Sequence, residues 1–114
     1  MPIRSINPVT FKQILDDGES VVVLDVREYF ERDLAKITLP ATATELAIPM
    51  NSIPLRLHEI QAVSDRPIFV YCHHGVRSLS ACRWLSEQGI PDLINLSGGI
   101  DSWTDHADPS TPRY

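Results

Sequence analysis

Lysine is scarce in this chain: only Lys12 and Lys36 accompany eight arginines, scattered along 114 residues whose formal net charge is −5. A polyphosphate backbone is bound by a clustered basic stripe, so nucleic acid is not an expected partner. Cysteine is scarcer still. Two residues, Cys72 and Cys82, do not make a disulfide scaffold, and in a reducing compartment such thiols are either reactive or buried. No apolar run approaches the length of a membrane span, and Met1-Pro2-Ile3-Arg4-Ser5 lacks the apolar core of a signal peptide. The expectation is a soluble, cytoplasmic protein with no membrane partner. Metal ligands are sparse as well. His58 and His106 stand alone, and the adjacent pair His73-His74 cannot readily turn both rings onto one ion at helical or strand spacing, so no metal site is expected.

What is present is ordinary in bulk and specific in detail. An apolar fraction of 43% and a charged fraction of 22% suit a globular domain, and residues 1–114 fit one domain with a core of its own. Asn7-Pro8 reads as a helix entry, with Phe11, Ile14 and Leu15 at helical spacing and Gly18 as the stop. Val21 to Leu24 is an uninterrupted, mostly β-branched run, the mark of a strand buried on both faces. Asp25-Val26-Arg27 leaves it, and a short helix is expected from Glu28 to Leu34. Residues 36–44 read as a loop, followed by a brief strand at Leu46-Ala47-Ile48. Ile53, Leu57 and Ile60 suggest a helix, with Leu55 widening its apolar face. Ile68 to Tyr71 is a second buried strand. A helix from about Arg77 to Gln88 turns Leu79, Cys82 and Leu85 inward. Leu93 to Leu96 gives a last strand, and Ile100 to Thr104 a short helix around Trp103. The Pro-containing tail after Asp108 is expected to lie extended or loose. Strands alternating with helices imply an α/β fold with a mainly parallel sheet, in which ligands bind beyond the carboxyl ends of the strands.

Two strong strands end in polar residues, at Asp25 and at Cys72, and the second is the informative one. Tyr71-Cys72-His73-His74-Gly75-Val76-Arg77-Ser78 runs from a strand into a helix. Such a turn aims backbone N–H groups into one concavity with the helix dipole behind them, and Gly75 permits the tight curvature. Those donors and Arg77 would stabilise a Cys72 thiolate, the nucleophilic form of the residue, and the same loop can hold an anion against Arg77. Cys82, three residues from both Leu79 and Leu85, reads as a core residue rather than a resolving thiol. Asp25 and Arg27 leave a neighbouring strand on the same side and read as supporting residues, with an Arg27–Glu31 ion pair at helical spacing as the simplest structural role. Trp84 and Trp103 read as packing residues.

The chain resembles the single-domain rhodanese-like sulfurtransferases over nearly its whole length. Val22 to Arg27 is similar to the family's first strand, Cys72 to Ser78 to its active-site loop, and Leu96-Ser97-Gly98-Gly99-Ile100-Asp101-Ser102-Trp103 to its Gly-Gly…Trp segment. The ending Asp108-Pro109-Ser110…Pro112-Arg113-Tyr114 is similar to that of bacterial members. The resemblance implies a three-layer fold, a central mainly parallel sheet flanked by helices. It implies transfer of sulfane sulfur from thiosulfate or a persulfide through a Cys72 persulfide. His73, His74, Gly75, Val76, Arg77 and Ser78 would form the binding loop, with small sulfur donors and acceptors or a protein acceptor as partners, and no cofactor. One stretch departs from the pattern: Thr38 stands where the family often has histidine, and the Pro-Gly that commonly follows is replaced by Pro40-Ala41.

Two other readings compete. Related phosphatases and arsenate reductases resemble Cys-x5-Arg, whereas four residues separate Cys72 from Arg77. The shorter ring suits a single sulfur on the cysteine and the longer one a tetrahedral oxyanion. A non-catalytic or carrier module serving a partner is the third reading, and such binding modules typically lose the loop cysteine that is present here.

Overall fold

The computed structural model describes residues 3–114. Five strands form one wholly parallel sheet: β1 (Arg4–Ile6), β2 (Val22–Asp25), β3 (Thr44–Ala47), β4 (Ile68–Tyr71) and β5 (Leu93–Leu96), in the spatial order β1-β5-β4-β2-β3. The helices are α1 (Pro8–Asp16), α2 (Tyr29–Leu34), α3 (Leu57–Gln61), α4 (Val76–Glu87) and α5 (Gly99–His106). The expected three-layer α/β architecture is present.

The sheet is buried on both faces because alternate strand residues feed two cores. Val22, Leu24, Ile68 and Val70 point into one cluster with Ala81, Cys82 and Leu85 of α4. Val23, Phe69 and Tyr71 point into the other, with Phe11 and Leu15 of α1 and Ile100 and Trp103 of α5. The two central strands β2 and β4 carry no exposed residue, which is why their sequences read as continuous apolar runs. At the start of α1, Asn7 accepts the Thr10 N–H at 2.8 Å and Pro8 takes the first helical position, as the sequence predicts.

Several expectations are corrected. Strand β1 was not anticipated: it is a three-residue edge strand of half-exposed to exposed residues, and without alternation a short polar strand carries no signal. Strand β3 begins two residues earlier than expected, at Thr44, because its register is set by pairing with Val22 and not by local hydrophobicity. The helix expected over residues 53–60 is divided into a 3-10 turn, Pro54–Arg56, and α3, and a further 3-10 turn, Met50–Ser52, precedes them. Pro54 cannot donate into a continuous helix, and Leu55 ends 85% exposed rather than widening an apolar face. On α4 the buried stripe runs through Ser78, Ala81, Cys82 and Leu85, leaving Leu79 half-buried. The tail is not loose. Thr111 is buried, and its hydroxyl accepts the Trp103 indole N–H at 3.1 Å.

Candidate active site

The site forms where β2, β4 and β5 end. Past Tyr71, residues 72–75 turn sharply into α4, with Gly75 at φ +94° immediately before the first helical residue. A side chain there would crowd the Gly98 backbone, with its Cβ 3.0 Å from the Gly98 nitrogen. Gly99 is under tighter constraint. At φ +62°, a Cβ would lie 2.4 Å from the Cys72 carbonyl oxygen and 2.5 Å from that of His73. This close approach lets the first turn of α5 hold the loop from outside. Ile100 N–H donates to Cys72 C=O at 2.9 Å and Asp101 N–H to His73 C=O at 3.1 Å. The loop carbonyls are occupied on that side.

The Cys72 sulfur receives the N–H groups of Gly75 at 3.1 Å and Ser78 at 3.4 Å, with the Ser78 hydroxyl also 3.4 Å away. That hydroxyl donates to Asn95 Oδ1, and Asn95 Nδ2 donates to the Gly75 carbonyl at 3.3 Å. Asn95 was not identified from the sequence. It is the one polar residue of β5, set within an apolar run, and a buried amide requires partners, so the run Leu93-Ile94-Asn95-Leu96 itself carries the signal. Cys72 itself is 1% exposed. Cys82 shares its core cluster and is fully buried, and burial pushes that thiol up to about 12, the profile of an inert core cysteine.

The rim is made of side chains from distant elements. Asp25 and Arg27 are both buried: Arg27 Nε donates to Asp25 Oδ1 at 2.9 Å and Nη2 to Oδ2 at 2.8 Å. Arg32 closes on the same carboxylate at 2.8 Å and on Glu45 at 3.1 Å. Burial works against the charge on Arg27, but the Asp25 carboxylate more than restores it and holds the guanidinium above its ordinary range. Arg27 therefore pairs with Asp25 and not with Glu31, whose backbone carbonyl alone it approaches, at 3.4 Å. The Glu31 carboxylate instead takes both prongs of Arg77, at 2.8 and 2.9 Å. The Glu28 N–H adds a third donor at 2.8 Å, and Tyr114 a fourth at 3.0 Å. Chiefly through Arg77, the Glu31 carboxyl is brought down to about 2. Arg77 is thus not the free fork that the sequence suggested.

His73 lies between two rings, His74 at 3.9 Å and Tyr114 at 4.1 Å between centroids. Burial, then the neighbouring His74, lowers its pKa and favours the neutral ring. The pair belongs to neither helix nor strand, so the spacing argument against a shared ion does not apply, and donor atoms of His73, His74 and Asp101 lie within 4.8 Å of one another. The two rings are occupied in stacking on each other, and Asp101 is already paired with Arg113. The arrangement fits a solvated rim better than a cation site. Val76 is 74% exposed at the edge of the loop. The atypical stretch at residues 36–44 buries Ile37, and just before it Ala35 offers its carbonyl to Arg27 at 2.9 Å.

The family model for the rhodanese-like domain matches residues 7–106. The chain belongs to the rhodanese-like family. A sulfurtransferase of Allochromatium vinosum is 36% identical over 107 residues, covering 94% of both chains. A putative sulfur carrier protein of Bacillus subtilis is 35% identical over 90% of this chain and 51% of its own length. Among solved structures, a rhodanese-related protein from Thermoplasma volcanium superposes with a TM-score of 0.74 at 31% identity, covering 91% of this chain and 93% of that one. Membership supports rhodanese-type sulfur transfer in general. No helix among the described residues is long and apolar enough to cross a membrane.

Proposed function

We propose that this rhodanese-like protein is a sulfurtransferase that carries sulfane sulfur on Cys72, taken from thiosulfate or a persulfide and given to a thiophilic acceptor. The observation that supports it is the convergence of the Gly75 and Ser78 N–H groups on the Cys72 sulfur. Donors placed there stabilise a thiolate, and after transfer they can stabilise the charge of a persulfide. The thiolate attacks the terminal sulfur of the donor, a new S–S bond forms, and the donor's S–S bond breaks as sulfite or a thiol leaves with its electron pair. An acceptor nucleophile then takes the outer sulfur and regenerates the thiolate, so the kinetics are ping-pong. The reading sets this chemistry in the cytoplasm, whose reducing conditions keep both cysteines as thiols. A carrier role, in which the acceptor is a protein thiol, uses the same persulfide and is favoured by the likeness to the Bacillus subtilis protein.

The test is intact-mass and peptide analysis after incubation with donor, together with steady-state assays. One added sulfur is expected on Cys72 and none on Cys82. Cys72→Ser abolishes transfer with the fold intact, while Cys82→Ala keeps it at a stability cost of about 1 kcal/mol. Turnover surviving in Cys72→Ser, or efficient hydrolysis of aryl phosphates by the native loop, would overturn the proposal.

A further inference from the structure

The side chain best suited to bind an anionic donor is already occupied. Arg77 meets Glu31 through two parallel hydrogen bonds, the geometry in which a guanidinium and a carboxylate satisfy each other. What holds Glu31 in that position comes from the far end of the chain. The Tyr114 hydroxyl accepts from Arg27 Nη1 at 2.9 Å and donates to Glu31 Oε1 at 3.0 Å. Burial raises the pKa of this phenol, so it remains a proton donor at neutral pH. Arg27 is itself fixed by Asp25 below, so one continuous chain of contacts runs from the end of β2 to the loop: Asp25, Arg27, Tyr114, Glu31, Arg77. The tail that delivers Tyr114 is anchored by Trp103 on Thr111 and by Arg113 on Asp101 and Asp105.

The electrostatic result is a rim whose charges are matched. Arg77 faces Glu31, Arg113 faces Asp101 and Asp105, and Arg27 and Arg32 face Asp25 and Glu45. The His73 imidazole beside Cys72 in the chain favours its neutral form and stacks on the Tyr114 ring. Thiosulfate is a dianion, and in a protein of net charge −5 it would gain only the backbone donors of the loop. A persulfide carries at most one charge on the sulfur that reacts, and its organic part can lie on the Tyr114–His73 stack.

We propose that Tyr114 and Glu31 set donor specificity by holding Arg77 in a closed ion pair, so that the site takes small persulfides in preference to thiosulfate. This rests on the reading of Cys72 as the sulfur acceptor. The transfer is R–S–SH + Cys72–S⁻ → Cys72–S–SH + R–S⁻: the thiolate attacks the outer sulfur, the donor S–S bond breaks, and the thiolate R–S⁻ leaves with the electron pair. Glu31 and Tyr114 act through Arg77 and are positioning residues.

The experiment compares native protein, Glu31→Gln, Tyr114→Phe and Tyr114→Ala with two donors, thiosulfate and the persulfide of 2-mercaptoethanol, whose organic part carries no charge. Freeing Arg77 should lower the KM for thiosulfate by roughly two- to fivefold in Glu31→Gln, the scale of one partly exposed ion pair, and less in Tyr114→Phe. The KM for the persulfide should stay level or rise, and the thiosulfate gain should shrink as salt is added. Tyr114→Ala should in addition return the His73 titration, read by NMR, toward the ordinary imidazole value, whereas Tyr114→Phe should not. A merely structural role predicts equal losses with both donors, and that result, or an unchanged donor ratio, would sink the proposal. Thiosulfate binding measured by NMR in the Cys72→Ser background, with and without Glu31→Gln, reads the charge pair whether or not Cys72 accepts sulfur. Equal affinity there would overturn the pairing argument by itself, and the two readings therefore fail separately.

Discussion

The seat of the Cys72 sulfur and the rim around it are built by different means. The seat is main chain: two N–H groups on the sulfur, two glycines in left-handed geometry, and the start of α5 capping the loop carbonyls. The rim is side chain, assembled from β2, α2, α4 and the tail. A main-chain seat is fixed by local conformation and tolerates little substitution at its glycines. A side-chain rim can be retuned by changing one partner. On the proposed reading of Cys72, the seat serves a chemistry held constant and the rim a choice among donors.

The sharpest way to break this division is Gly99→Ala. The new methyl would have to share space with the Cys72 and His73 carbonyls, at a φ that alanine adopts only under strain. A loss of about 3 kcal/mol is expected, with sulfur transfer falling because the loop itself must shift. Chemical denaturation and activity measured on the same samples check it. Near-native stability and activity would mean that α5 does not hold the seat.

A second test addresses the rim alone. Glu31 has a folded value of about 2 against an ordinary 4.5, so it binds its proton more readily when unfolded. Its contribution is therefore complete above about pH 4.5 and is lost as pH falls toward about 2. Because Arg77 is 39% exposed, solvent discounts the full shift, and about 2 kcal/mol is expected. Stability followed from pH 6 to pH 2 should decline through this window in native protein and decline less in Glu31→Gln. Parallel curves for the two proteins would show that the ion pair contributes nothing to folding.

The same division governs what could be read from sequence. Cys72, Gly75 and the helix behind them are contiguous, so their arrangement follows from a strand running into a helix, and β2, β4, β5 and α4 were legible from their apolar patterns. The partners in the rim are distant in sequence. Arg27 lies four residues from Glu31, a spacing that suggests a pair, yet Asp25 two residues away takes both its prongs and leaves Glu31 to Arg77. Only the parallel pairing of β2 with β4 brings the Asp25 and Cys72 ends together. Nothing local announces that Tyr114 folds back onto His73, since a Pro-containing tail has the same composition whether anchored or loose.

The smallest expected effect tests that fold-back where it begins. Thr111→Val keeps the shape of the side chain but removes the oxygen that accepts the Trp103 indole N–H at 3.1 Å and donates to Asp108 at 3.2 Å. The indole belongs to the core under α5, so its N–H would be left buried and unpaired, at a cost of about 1 kcal/mol. Thr111 lies three residues before Tyr114, and loosening it should weaken the hold on Glu31 without touching the backbone seat of the sulfur. Thermal unfolding should therefore show a modest drop. The thiosulfate-to-persulfide preference should move in the direction of Tyr114→Phe but by less, and the turnover number with the persulfide should be preserved. If Thr111→Val instead lowers turnover with both donors as strongly as Gly99→Ala, seat and rim are one mechanical unit and their separation is wrong.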